Sequence, residues 1–216
     1  VLSERDRERV KASLSSWFQS SRFRTEEKGC LSDDSYEEED QKERISWLLS
    51  RCYGRVLDIG CGVGHLLSFY PEPAVGIDNR IYYIATAQLQ DQNPHHHYYC
   101  VDVAVGLPFR KAEFDTVVLA EILEHLSFSN AIFVLREAIR CGEIVLLTLP
   151  YMRENGYHIP DVESGEHKWS PSKPMIEWLI RDAGGQVVNS EEISNGRFLG
   201  LEVVGADEKD HSNSIA

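Results

Sequence analysis

Apolar positions along this chain change their period near residue 54. Before it they follow a helical spacing. Val10, Leu14, Trp17 and Phe18 predict a helix within residues 1–29, and Ile45, Trp47, Leu48 and Leu49 predict a second at about 40–52. From Gly54 onward, short apolar runs bounded by Gly, Asp and Pro take over. Arg55–Ile59, Val75–Ile77, Tyr98–Val101, Thr116–Ala120 and Glu143–Leu149 read as buried strands, with helical stretches at about 64–69, 80–90 and 130–140. Near-continuous apolar strands alternating with helices predict a parallel α/β sheet covered on both faces. The end differs. A helix at about 172–183, with Met175, Ile176, Trp178, Leu179 and Ile180, leads to Gln186–Ile193 and Phe198–Val204. Asn195-Gly196 lies between those two strands and signals an antiparallel hairpin.

The expected organisation has three parts: an N-terminal helical cap over 1–53, a main domain over 54–204 and a polar tail over 205–216. Within the cap, Gly29 to Asp40 carries six acids and reads as a solvated linker, or else as a flap that orders over a site. Loop 150–170, with Pro150, Gly156, Pro160 and Gly165, is long for a compact domain, which favours a functional loop. It and the N-terminal segment are the expected lids. Trp17, Phe18, Tyr36, Tyr82, Tyr83, Tyr151, Tyr157 and Trp169 are read mostly as packing residues, and His95–His97, after the Asn93-Pro94 turn, as a solvated loop.

Charge narrows the function classes. The 216 residues hold 22 Lys+Arg against 35 Asp+Glu, a net −13, of which −11 falls on residues 54–216. That balance argues against a protein built chiefly to grip a phosphate backbone, although Arg136, Arg140, Arg153, Lys168 and Lys173 could form a local basic patch. No apolar run of about 18 residues predicts a membrane span. Five scattered cysteines without CxxC spacing, and a charged start, point to reduced thiols and a cytoplasmic setting.

The most informative segment is Val56-Leu57-Asp58-Ile59-Gly60-Cys61-Gly62-Val63-Gly64. A buried strand ends in a turn with glycine at every second position, and a helix is expected to open from it. Glycine permits positive φ and lets a ligand approach the backbone. No GK[ST] follows, so a P-loop is excluded. The next strand ends in Asp78, placed to accept bonds from ribose hydroxyls, and the third ends in Asp102, able to accept from an adenine amine. Three acids at successive strand ends face the crevice where open α/β sheets bind ligands.

With VLDIGCGVG (56–64), VGID (75–78), VDVA (101–104), FDTVVLAEILEHL (114–126) and the closing hairpin, the chain resembles the class I S-adenosylmethionine-dependent methyltransferases over about residues 54–204. The resemblance implies a Rossmann-like sheet of seven strands, the seventh antiparallel and inserted between the fifth and sixth. It implies that Asp58 and the backbone of Gly60, Cys61, Gly62 and Gly64 surround the methionine part of the cofactor. Asp78 with Asn79 would hold the ribose, Asp102 with Val103 would read adenine, and Ala120 would complete the pocket.

Methyl transfer from a sulfonium is an in-line displacement, so positioning supplies much of the acceleration. A hydroxyl acceptor also needs a base or a metal. The loop after the fourth strand reads Glu121-Ile122-Leu123-Glu124-His125, and a further imidazole, His167, lies downstream. On a helical turn Glu121 and Glu124 share a face, and two carboxylates with imidazoles can hold a divalent ion. ExxEH…H resembles the Mg²⁺ or Mn²⁺ site of small-RNA 3′-terminal 2′-O-methyltransferases, and ExxEH that of ubiquinone-pathway O-methyltransferases. The same residues also occur in metal-free small-molecule methyltransferases, where His and Glu shape the pocket, and Ser170 or Ser172 can cap the helix beyond. The leading expectation is a methyltransferase acting on an oxygen of a small-molecule acceptor. The alternatives are a metal-dependent RNA ribose 2′-O-methyltransferase and a cofactor-binding but catalytically silent scaffold subunit.

Overall fold

The computed structural model describes residues 38–71, 73–150 and 167–206. The helix expected within 1–29, most of the acidic stretch, most of loop 150–170 and nearly all of the tail lie outside them. So do Trp17, Phe18, Tyr36, Tyr151, Arg153 and Tyr157.

The strands are β1 (Val56–Ile59), β2 (Ala74–Asp78), β3 (His96–Cys100), β4 (Phe114–Ala120), β5 (Gly142–Pro150), β6 (Gly185–Ile193) and β7 (Phe198–Gly205). They form one seven-stranded sheet in the order β3-β2-β1-β4-β5-β7-β6. The first five pair in parallel and the last two form an antiparallel hairpin, as the sequence pattern predicts, and β7 lies between β5 and β6, as the family resemblance implies. Helices α1 (Glu38–Leu49), α2 (Ile81–Gln90), α3 (Phe128–Cys141) and α4 (Lys173–Asp182) cover the two faces.

Alternation along the strands divides the core in two. Leu57, Ile59, Leu119 and Leu147 face Val134, Leu135, Ile176 and Leu179 of α3 and α4. Val56, Val118, Leu146 and Phe198 belong to the opposite core, with Ile45, Leu48, Tyr70 and Ile84. Full burial of each such aliphatic side chain contributes about 1.5–3 kcal/mol.

Helix α1 belongs to this second core although it precedes the glycine loop. Its first turn contains Glu39 and Asp40, the last acids of the expected linker, at the helix end that favours negative charge. Beyond its C-terminus Arg51 pairs with Glu191 and Glu202, each at 2.8 Å, and Trp47 Nε1 donates to Glu191 Oε2 at 2.8 Å. Ser194 Oγ donates to the Asp40 carbonyl at 3.0 Å, and Arg197 pairs with Asp40. These bonds fasten α1 to β6 and to the β6–β7 turn, where Asn195 and Gly196 take φ of 54° and 78°.

Several expectations fail. No α-helix forms over 64–69; a 3₁₀ turn at Leu67–Phe69 replaces it. Pro71 and Pro73 close the short β1–β2 connection, and the residue before a proline is driven out of the α region. Tyr70 accordingly has ψ 157°. His95–His97 is not a solvated loop, because β3 begins at His96. His96 is buried, with Nδ1 2.6 Å from Asp91 Oδ2 and Nε2 3.2 Å from Asn93 Nδ2, so its polar atoms are satisfied at the sheet edge. Tyr82 does not pack: it is 74% exposed on α2.

Candidate active site

The carboxyl ends of the parallel strands converge on one crevice. Gly60, Gly62 and Gly64 have φ of 78°, 56° and 80°, a region that side chains disfavour. A Cβ at Gly60 would stand 2.7 Å from Ile122 Cδ1, and one at Gly64 would stand 2.5 Å from Tyr98 Cε1. The Gly60 and Cys61 amides both donate to the Ile77 carbonyl, at 2.8 and 3.0 Å, which folds the loop back over β2. Gly62 N donates to Asp78 Oδ2 at 3.2 Å, and Arg80 N donates to Asp78 Oδ1 at 2.8 Å. Asp78 is half-buried and thus already oriented by its own backbone neighbourhood.

Asp102 is exposed and caps the 3₁₀ turn Val103–Val105 by accepting from Ala104 N at 3.0 Å; Val103 beside it is buried. Asn79 is exposed after β2, and Ala120 ends β4 next to Thr148 of β5. Asp58 differs from the other strand acids: it lies within β1 and is 2% exposed. Burial pushes its carboxyl up to about 7, the Tyr70 hydroxyl and Arg44 guanidinium offset part of that, and Asp78 adds to it.

Arg44 was not singled out by the sequence pattern. Gln41, Arg44 and Leu48 lie at i, i+3 and i+7, one stripe of α1, so the guanidinium is carried inward with the apolar residues. It is 1% exposed. Nε and Nη2 donate to Gln41 Oε1 at 2.9 and 2.8 Å, and Nη1 donates to Thr148 Oγ1 at 3.2 Å. No carboxylate among the described residues pairs with it directly, and its charge acts on both Asp58 and Glu124. The available signal was an Arg and a Gln inside an otherwise apolar stripe.

On the other side of the crevice, three of the four predicted residues come together. The ligand atoms of Glu124, His125 and His167 lie within 4.8 Å of one another. Glu124 has no exposed surface, and neither carboxyl oxygen has a hydrogen-bond partner among the described residues. Burial raises its proton affinity well above the ordinary glutamate range, and the neighbouring Glu121 carboxylate raises it further. Glu121 itself is outside the cluster. It leaves β4 with φ 55°, and the turn that follows, Leu123–His125, is 3₁₀ rather than α, so the expected shared helical face does not form.

The segments carrying the histidines are clipped together. Lys168 N donates to the Glu124 carbonyl at 2.7 Å, and Trp169 Nε1 donates to the Leu126 carbonyl at 2.9 Å. The His125 and His167 rings meet edge-on at 4.7 Å, and Phe128 stacks on Trp169 at 5.0 Å. Ser172 occupies the N-cap of α4 without a side-chain bond. Of the residues of the expected basic patch, Arg140 is charge-paired. Arg140 is committed to Glu137 and to the Phe109 and Leu107 carbonyls, and Arg136 to the Asp182 carbonyl.

Residues 57–143 match the family described as a methyltransferase domain. That match covers less than half of the chain; it lies within the seven-stranded sheet with the inserted antiparallel strand, and both support an S-adenosylmethionine-dependent methyltransferase. A curated relative is the tRNA (carboxymethyluridine(34)-5-O)-methyltransferase of Arabidopsis thaliana, 28% identical in an alignment of 156 residues that covers 69% of this chain. The matched part spans only 35% of that relative's length. Among solved structures, the fold is similar to a methyltransferase in complex with the Haloferax volcanii Trm112 methyltransferase activator (TM-score 0.68, 16% identity, 79% of this chain and 91% of the other). It is also similar to magnesium protoporphyrin IX methyltransferase of Synechocystis with bound S-adenosylhomocysteine (TM-score 0.60, 18% identity, 91% and 100% covered). Among the described residues, no helix is long and apolar enough to cross a membrane.

Proposed function

We propose that the chain transfers the methyl group of S-adenosylmethionine to a hydroxyl oxygen of a small acceptor, with a divalent cation held at Glu124, His125 and His167. Glu124 carries this reading: it is a fully buried carboxyl with both oxygens unbonded among the described residues, grouped with two imidazoles. An ionised carboxylate left unpaired in such a place costs several kcal/mol, which a cation would offset. Two imidazoles and one carboxylate fit Mn²⁺ better than Mg²⁺, which prefers oxygen donors. Such an ion supplies Lewis acidity toward an acceptor hydroxyl. The chain's own residues do the rest. Asp58 and the backbone of Gly60, Cys61, Gly62 and Gly64 surround the methionine end, Asp78 and Asn79 take the ribose, Asp102 and Val103 take the adenine, and Ala120 lines the floor. His125, the exposed member of the cluster, would hold the ion on its solvent side, where the acceptor proton can leave to water. Glu121 acts on the cluster through its charge.

Calorimetric titration tests both halves. S-adenosylhomocysteine should bind, and Mn²⁺ should bind the wild type but not Glu124→Gln. Absence of heat with S-adenosylhomocysteine sinks the cofactor assignment, and full methyl transfer in excess chelator sinks the metal.

The Arabidopsis relative favours a second reading, in which the acceptor is a modified uridine of tRNA. Net charge of −11 on residues 54–216 weighs against it. Labelled cofactor incubated with bulk tRNA, with and without an activator subunit of the kind bound to the Haloferax neighbour, separates the two. Label in tRNA selects the second reading.

A further inference from the structure

Arg44 is a buried cation with no ion-pair partner among the described residues. Arginine cannot shed its proton as a buried lysine or histidine does, so the charge persists inside the fold. The side chain is 1% exposed. Its hydrogen-bond acceptors are neutral, Gln41 Oε1 and Thr148 Oγ1, and its Cζ stands over the Phe198 ring, 5.5 Å from the centroid. A guanidinium has five N–H groups. The bonds to Gln41 and Thr148 engage one on each nitrogen, which leaves one N–H on each terminal nitrogen for a further acceptor. Two such donors are the fork with which arginine grips both oxygens of a carboxylate. Buried charges in folded proteins are paired, because an uncompensated one is strongly destabilising.

The strand register shows what lies beside this cation. Val56, Val118, Ala120 and Leu146 all belong to the core that α1 covers. By alternation Asp58 and Thr148, two residues past Val56 and Leu146, face the same way. Thr148 is the β5 partner of Ala120 on β4, and Asp58 lies on the adjoining β1, opposite Val118. At the carboxyl end of the sheet, one face therefore carries a buried acid on β1, a single methyl group on β4, and the Arg44 guanidinium bonded to β5. The two charged groups are near enough for Arg44 to lower the proton affinity of Asp58, yet they form no ion pair.

We propose that Arg44 binds the α-carboxylate of S-adenosylmethionine while Asp58 takes its α-ammonium, so that the amino-acid end of the cofactor is recognised as a zwitterion. This rests on the cofactor assignment proposed above. The orphaned fork fits that group: two oxygens meet two N–H groups, and the ligand itself brings the charge that the buried cation lacks. The sulfonium and adenosine do not need Arg44. Its role is positioning, because a methionine chain held at its far end sets the line along which the methyl leaves.

The test compares two ligands by calorimetric titration of the full chain: S-adenosylhomocysteine and its decarboxylated analogue, which keeps the amine and the adenosine. The wild type should prefer the carboxylate form by about tenfold to a hundredfold. In Arg44→Met that preference should fall to about onefold to threefold, with binding of the decarboxylated analogue kept. Arg44→Lys, which retains the charge without the fork, should show a preference between the two and serves should Arg44→Met fail to fold. A wild type that binds both ligands equally, or a variant that keeps the full wild-type preference, would overturn the inference. The second result is also the one expected if Arg44 served an anion on the acceptor. Absence of binding of either ligand to the wild type would instead overturn the cofactor assignment on which the inference rests.

Discussion

Asp58→Asn is expected to make the stability of the unliganded protein much less dependent on pH. Asp58 is 2% exposed, and burial raises its carboxyl from the ordinary 3.8 to about 7 in the fold. A carboxyl with raised proton affinity binds its proton more tightly in the native than in the unfolded chain. Its contribution is therefore fully present below about pH 4, is lost as pH rises from about 4 to about 7, and is constant above that. Three pH units at about 1.4 kcal/mol each give about 4 kcal/mol, a large share of a typical domain's stability of about 5–15 kcal/mol. Urea unfolding of both chains at pH 5, 6, 7 and 8 checks this. Relative to Asp58→Asn, the wild type should lose about 2 kcal/mol between pH 5 and 7. The amide contributes an offset that does not vary with pH, so it cancels from the slope. If the difference between the two chains is the same at pH 5 and pH 7, Asp58 is ionised in the folded protein and the argument from burial is wrong.

Arg44→Met should move the same window to higher pH, because the guanidinium charge lowers the Asp58 proton affinity; the unfolding series above reads the shift. Gly64→Ala should cost about 2–4 kcal/mol in thermal melting, combining strain at φ 80° with overpacking against Tyr98 Cε1 at 2.5 Å. Arg51→Ala should cost about 1 kcal/mol, with the loss shrinking in 1 M salt, because its pairs with Glu191 and Glu202 are partly solvated. Trp169→Phe leaves the Leu126 carbonyl without its donor and should lower stability by about 1 kcal/mol in chemical unfolding, with cofactor binding retained.

The sheet was legible because strand periodicity is a local signal. Val56–Ile59 and Thr116–Ala120 are apolar at all but one position each, and the Gly and Asp residues around them mark where they stop. The glycine loop was legible for the same reason: three positive-φ positions need three glycines. What followed it was not, since two prolines seven and nine residues beyond Gly64 override the helical look of 64–69. Arg44 escaped notice because its meaning depends on α1 docking against Thr148, more than a hundred residues away. Glu124 and His125 could be named from adjacency, and His167 only from family resemblance. Physically its place is set by a backbone bond from Lys168 to Glu124 that no periodicity announces. Glu121 was grouped with Glu124 by a helical spacing that its left-handed backbone breaks.

The clip between 124–128 and 167–169 also bears on how much the chain length between β5 and α4 can vary. The span from 151 to 166 leaves the sheet at Pro150, which is paired with Phe198 of β7, and returns at His167, which is pinned beside Glu124. Both ends are anchored by bonds among the described residues. For an unstructured insertion, doubling such a span costs only about 0.6 kcal/mol of closure entropy. Two ends fixed in this way let the length of chain between them change at small entropic cost while β5, β7 and the Glu124 turn keep their geometry.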